Sequence, residues 1–159
     1  MQTHLLSVHP AHPPARVESV EAKIIGADDN WLRLRWRIEG AQALVVPAFA
    51  GKGRADELWR TTCFELFLRP DGGAAYCEFN LSPSGEWAAH AFERYREGAM
   101  LEDAALDPRI AVRREAGKLE LDALIRIEGA RLLIGLAAVI EAADGSLSYW
   151  ALRHAPGKP

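Results

Sequence analysis

Cysteine is scarce: Cys63 and Cys77 are the only two in 159 residues and lie fourteen positions apart. That excludes a disulfide-stapled scaffold and a zinc cluster built from paired thiolates, and both are expected as free thiols that pack as small hydrophobes. An excess of one charge is also missing, since 19 Lys and Arg stand against 22 Asp and Glu for a formal charge of −3 with the signs interleaved. No electrostatic footprint for nucleic acid follows from that balance, because such partners need clustered cations. Long apolar runs are absent too. The best candidate, "RLLIGLAAVIEA" at 131–142, falls short of the ~18 residues that cross a bilayer, so no membrane partner is expected. The opening "MQTHLLSVHPAHPPARVE" has no basic stretch followed by an apolar one; no secretion signal is read, and the expected address is the cytoplasm.

Several kinds of chemistry lack their residues. No Cys/His set has zinc-ligand spacing and no acidic loop has the calcium pattern, so neither a metal nor a cofactor is expected. "GKGR" at 51–54 is short of a phosphate loop. Ser82 and Ser84 in "LSPSGEW" have no glycine ahead of them to make a nucleophile elbow, and read as a turn. The three histidines at 4, 9 and 12 sit in a Pro-rich stretch without acidic or thiol companions. They read as part of a mobile or edge-pairing tail.

What is present suits a single folded domain. Hydrophobic residues make up 49% and charged ones 26%, an ordinary globular balance that rules out disorder as the main state. A chain of this length buries about 70% of its unfolded surface and can stand on its core alone. Residues 1–16 read as an N-terminal extension and 17–159 as the domain.

The domain is punctuated β-structure. In "WLRLRWRIEG" Leu32, Leu34, Trp36 and Ile38 alternate with Arg33, Arg35, Arg37 and Glu39, the pattern of a strand with one face on a core and the other in water. The arginine row reads as a solvated sheet face. "ALVVP" at 43–47 is expected as a short strand, and 48–59 as an irregular surface excursion. "TTCFELFLRP" and "AAYCEFNLSP" flank "DGG", a hairpin signal. Phe64, Leu66 and Leu68 share one face of the first strand and Cys63, Glu65 and Phe67 the other; the second strand sets Tyr76, Glu78 and Asn80 against Cys77, Phe79 and Leu81. "WAAHAFERY" reads as a further strand, though its composition also tolerates a helix. "REGAMLEDAALDP" reads as a connection with room for a helical turn. Four more strand-like runs follow, at 109–116, 118–127, 131–142 and 147–154, with turn signals between them. The expected fold is all-β, an antiparallel two-sheet β-sandwich of jelly-roll or immunoglobulin-like type. Because the last run halts at "HAPGKP", an open sheet edge near Trp150 is expected.

Site candidates sit on the hairpin. Glu65 and Glu78 fall on its two strands, where they serve either as a catalytic acid pair or as a polar floor salt-bridged by Arg60, Arg69 or Arg94. Trp59, Trp87 and Trp150 stand at loop–strand junctions, where an indole can form a flat apolar platform with a polar handle; Trp36 and Trp31 read as core. A haem pair would have to be His90 or His154 with Met100, and the spacing does not favour it.

The stretch "DELWRTTCFELFLRPDGG…YCEFNLSPSGEWAAHAFERYR" resembles the DOMON-like superfamily and, within it, family 9 carbohydrate-binding modules. The resemblance is dense over 56–96, thins toward Trp150 and leaves out 1–16. It implies a β-sandwich that holds a saccharide between two tryptophans, with polar side chains of the central strands on its hydroxyls. Trp59, six residues ahead of Glu65, matches the first tryptophan, Trp150 is the candidate for the second, and Asn80 matches the strand asparagine. Glu78 departs from the pattern, standing where those relatives tend to carry arginine. The resulting expectation is a non-catalytic groove for a carbohydrate or another small polar molecule, lined by Trp59, Arg60, Glu65, Glu78, Asn80 and Trp150. A protein-interaction surface with self-association and a haem-binding domain stand as the alternatives.

Overall fold

The computed structural model describes residues 2–14, 16–94, 97–100, 107–127 and 131–154. Two mostly antiparallel sheets pack face to face as the expected sandwich, and no α-helix occurs among the described residues. One sheet has five strands: β1 (Thr3–Leu5), β3 (Ser19–Ala27), β4 (Trp31–Glu39), β11 (Lys118–Arg126) and β10 (Arg109–Glu115), in that order across it. The other has eight, running from β2 (Ser7–Val8) through β13 (Leu147–Ala151), β12 (Leu132–Glu141), β6 (Cys63–Pro70), β7 (Tyr76–Leu81) and β8 (Glu86–Arg94) to β5 (Gly53–Arg54), with β9 (Glu97–Met100) also on β8.

Alternation places the core. Leu32, Leu34, Trp36 and Ile38 of β4 and Leu119, Leu121 and Ile125 of β11 turn inward from one sheet to meet Phe64, Leu66 and Leu81 of the other, all fully buried. Trp36 and Phe64 meet across the interface with ring centroids 5.6 Å apart. Each such side chain, once buried, contributes about 1.5–3 kcal/mol of hydrophobic stabilisation, and the period of two fixes which residues those are.

The turns obey local chemistry. Gly72 of the predicted hairpin has φ +80° and Gly85, after "SPS", has φ +93°, both in the left-handed region that other residues enter only at a cost. At Gly85 a Cβ would also lie 2.8 Å from the Gly51 carbonyl oxygen, so the turn and the 48–57 excursion pack backbone to backbone.

Several expectations change. The edge beside Trp150 is covered, because β2 pairs there with Val8 opposite Trp150 and Ser7 opposite Ala151. Residues 3–8 thus belong to the two sheets, β1 on β3 and β2 on β13. "ALVVP" forms only an isolated bridge, Leu44 to Ala142, since Pro47 and a half-exposed Val45 suit no ladder. Residues 53–54 make a short parallel strand on β8 rather than loop alone. Residues 97–100 of the expected connection form β9, and the possible helical turn at 101–106 lies outside the described residues. Trp31, at the start of β4, is 38% exposed rather than core, because period two sets it on the outward face with Arg33, Arg35 and Arg37 while Leu32 turns inward.

Candidate functional site

The outer face of the eight-stranded sheet carries a groove of about 530 Å³, within the usual size range of small-molecule sites. Register explains its shape. One row across the sheet reads Ala151, Ala137, Glu65, Asn80, Ala88, and the next reads Gly135, Phe67, Glu78, His90. Small residues flank a polar centre, so the middle of the sheet is a trough, and aromatic side chains rise around it. Phe67, Tyr76 and Phe92 form one wall, with Tyr76 and Phe92 stacked at 4.8 Å between centroids; Tyr149 and Trp59 stand on the other flank.

Trp59 is 47% exposed and is held up by a 3-10 turn, Leu58–Arg60, whose buried Leu58 anchors it. The residue that enters this turn, Glu57, has φ +57° and is the one non-glycine with positive φ among the described residues. A side chain in that region costs about 1–2 kcal/mol, and such strain is found where a site holds a loop in place.

The floor is a carboxyl pair. Glu65 and Glu78, diagonal neighbours on one face, are in hydrogen-bonding contact, and the Glu65 carboxyl is pushed well above its ordinary range, first by burial and then by Glu78. Burial and the neighbouring acid both favour the protonated form of Glu65, since two carboxyls this close resist ionising together out of water. Beside them Asn80 is 2% exposed with its Oδ1 unpartnered, and His90 Nδ1, 3.9 Å from Glu78 Oε2, is buried without a hydrogen bond. Buried polar atoms left unpaired in this way cost about 1–3 kcal/mol each unless something fills the groove.

Five of the six candidate residues line this groove: Trp59, Glu65, Glu78, Asn80 and Trp150. Arg60 does not. It points to solvent, pairs with Glu57 at 3.2 Å and lies over the Trp59 ring at 5.3 Å. Trp150 reaches the groove's boundary but is 6% exposed, packs in the inter-sheet core and donates its Nε1–H to Ser148 Oγ at 2.9 Å. Its neighbour Tyr149 holds the outer face, as period two demands. Trp87 is likewise core, 4% exposed. Of the arginines weighed as salt-bridge partners for a buried glutamate, Arg60 is paired with Glu57, Arg69 is exposed, and the Arg94 side chain lies outside the described residues. For the haem pair, register sets His90 opposite Met100, but the Met100 side chain lies outside the described residues. Among the described residues no three His, Cys, Asp or Glu could hold a metal ion, and both cysteines are free.

No family model and no curated protein matches this chain. Solved structures do. An inferred carbohydrate-binding protein from Bacteroides uniformis superposes with a TM-score of 0.68 at 13% identity, over 99% of this chain and 80% of that one. A family 9 carbohydrate-binding module from Caldicellulosiruptor kristjanssonii, in complex with cellotriose, gives 0.61 at 10% identity, over 98% and 74%. The fold is that of the family 9 modules. A family 9 module from the same organism, in complex with glucose, gives 0.56 at 10% identity, over 96% and 76%. At these identities the family 9 likeness speaks for the sandwich, and the groove's chemistry has to be read from its own residues.

Proposed function

We propose that this family 9-like sandwich binds a carbohydrate in the outer-sheet groove without transforming it. The observation that carries the reading is a trough of ligand size with aromatic flanks and a floor of hydrogen-bonding atoms lacking partners, Asn80 Oδ1 and His90 Nδ1. A sugar ring presents apolar C–H faces to aromatic walls and hydroxyls to such a floor. Structures of the same fold in complex with cellotriose and glucose support it. Trp59 and Tyr149 are assigned as the flanking platforms and Glu65, Glu78, Asn80 and His90 as the polar floor.

The spacing of the acids supports the non-catalytic part of that reading. Glycoside cleavage through a carboxyl pair needs about 5–5.5 Å between the groups for retention and more for inversion, whereas Glu65 and Glu78 are in direct hydrogen-bonding contact.

The test is titration calorimetry with cellotriose and a glycan panel. Trp59→Ala is expected to weaken whatever binds by about thirtyfold, the roughly 2 kcal/mol of a buried aromatic anchor, at unchanged melting temperature. Silence across the panel ends the carbohydrate reading. A second reading, a protein-interaction face, rests on Phe49, 79% exposed near Trp59's loop; a concentration-dependent mass in solution, abolished by Phe49→Ser, is what it expects.

A further inference from the structure

Among the described residues Glu65 and Glu78 lack the countercharge that half-buried carboxylates ordinarily need. No Lys or Arg pairs with either among the described residues, and the nearest cationisable group, His90, is 3.9 Å from Glu78 Oε2. Elsewhere on the molecule acids of similar burial are bridged: Asp122 takes Arg35 and Arg113, and Glu39 takes Arg37. Of the other titratable groups facing the groove, Arg153 is exposed and His154 is turned to the Ser7 carbonyl oxygen. The central negative charge is therefore left for a ligand to meet.

A second observation points the same way. Asn80, opposite Glu65 in register and 2% exposed, offers a bare acceptor oxygen into the groove. Two adjacent carboxyls and an amide oxygen together make a floor that accepts more hydrogen bonds than it donates. Its complement is a group rich in N–H donors and positively charged. The walls exclude a bare hydrated ion as the best fit, since Trp59, Tyr76, Phe92 and Tyr149 suit a ring and an organic cation over aromatic faces.

Resting on the carbohydrate reading above, we propose that this groove selects amino sugars with a free amine, the ammonium seated between the Glu65 and Glu78 carboxyls and Asn80 Oδ1, and the sugar ring against Trp59. Binding an ammonium there favours release of the Glu65 proton to solvent, so that the cation meets two carboxylates. A neutral hydroxyl or an N-acetyl group cannot do this.

Titration calorimetry at about pH 6, where the amine is charged, compares three trimers of matching β-1,4 backbone: glucosamine trimer, cellotriose and the tri-N-acetylated form. The free-amine trimer is expected to bind at least about tenfold tighter than either neutral one, as charge-assisted hydrogen bonds require. That preference should shrink with added sodium chloride. Glu65→Gln and Glu78→Gln should each collapse the amine-to-neutral ratio toward one; the ratio is the readout, and either variant serves if the other does not fold. Equal or tighter binding of cellotriose overturns the amine preference and leaves the carbohydrate reading standing, whereas silence with all three trimers overturns both. An amine preference that survives both Gln variants puts the cation elsewhere and overturns this seat. So does calcium chloride alone raising the melting temperature while the neutral trimers bind only in its presence.

Discussion

The two outward faces of this sandwich solve opposite problems with the same residue types. On the five-stranded sheet, charges stand directly across from their partners: Arg35 opposite Asp122, Arg37 opposite Glu120, Glu39 opposite Lys118. Arg35 donates from Nε and Nη2 to the two Asp122 carboxylate oxygens at 2.8 and 2.9 Å, and Arg113 of β10 reaches Glu120 and Asp122 at 3.3 and 3.1 Å. On the eight-stranded sheet the corresponding strand centres carry Glu65 and Glu78 facing each other, with aromatic rings in place of arginines. A lattice of cross-strand pairs is a finished surface, complete in water. A lattice that sets acid beside acid on the floor of an aromatic-walled trough is unfinished, and on the reading proposed above the missing component is the ligand.

The largest effect that could break this contrast comes from the floor. Replacing Glu65 by methionine removes a carboxyl that folding strips of water without supplying a cation, so stability should rise by about 1–3 kcal/mol in mildly alkaline solution while ligand binding is lost. Chemical denaturation reads both sides of that exchange. A fall in stability instead would mean that Glu65 serves the fold, and the groove would lose its claim to be a site.

The matching substitution on the other face runs the other way. Asp122→Asn leaves Arg35 and Arg113 without their shared acceptor and should lower stability by about 1 kcal/mol, the upper end for a partly exposed pair because the contact is bidentate and shared. Ligand affinity should not move.

Smaller still are two pH slopes of opposite sign. Glu65 titrates higher in the folded protein than its ordinary range, through burial first and Glu78 second. The folded state then binds more protons than the unfolded one, and stability declines as pH rises from about 4.5 through the folded value. Asp122 is pushed up by burial but held lower overall by hydrogen bonds from Arg35 and Arg113. Its contribution is present above the ordinary carboxylate range and is lost as pH falls below about 3.8, by a few tenths of a kcal/mol per pH unit. Glu65→Gln should flatten the alkaline decline only, and Asp122→Asn the acid one only, in melting curves across pH.

Legibility from sequence followed the same divide. The finished face was plain: Leu32 to Glu39 alternate without error, so the strand, its buried side and its charged side all followed from period two. The hairpin placed Glu65 and Glu78 on one face for the same reason. Tryptophan misled where chemistry was read ahead of phase. Trp150 has the side chain a sugar platform needs, but β13 turns it inward with Ser148 and turns Tyr149 out, because neighbours on a strand lie on opposite faces. "RLLIGLAAVIEA" is apolar on both sides, which hides the phase that would have shown Ala137 and Val139 bordering a trough. His90 was weighed from sequence only as half of a haem pair, because its place in the groove comes from standing opposite Glu78, a pairing set by the turn between β7 and β8. The N-terminal tail was read as mobile or edge-pairing, and sequence could not choose between the two since β1 and β2 are held by backbone pairing to β3 and β13 and need no pattern of side chains.

Arg60 gives the smallest and sharpest test of the contrast. As a guanidinium beside a tryptophan it has the look of a sugar contact, and the sequence placed it among the site residues. In the fold it belongs with the finished charges: it pairs with Glu57 three residues earlier and covers the outer side of the Trp59 ring, with 63% of its side chain exposed. An exposed pair of this kind is worth under about 1 kcal/mol, with a cation over an exposed ring adding about 0.5–1 kcal/mol to the positioning of Trp59. Arg60→Ala should therefore leave stability within about 0.5 kcal/mol and weaken glycan binding by less than about fivefold. Arg60→Lys, which keeps the charge over the ring, should restore the difference. A loss as large as that of Trp59→Ala would move Arg60 from the rim into the site and shift the boundary between the two kinds of surface by one residue.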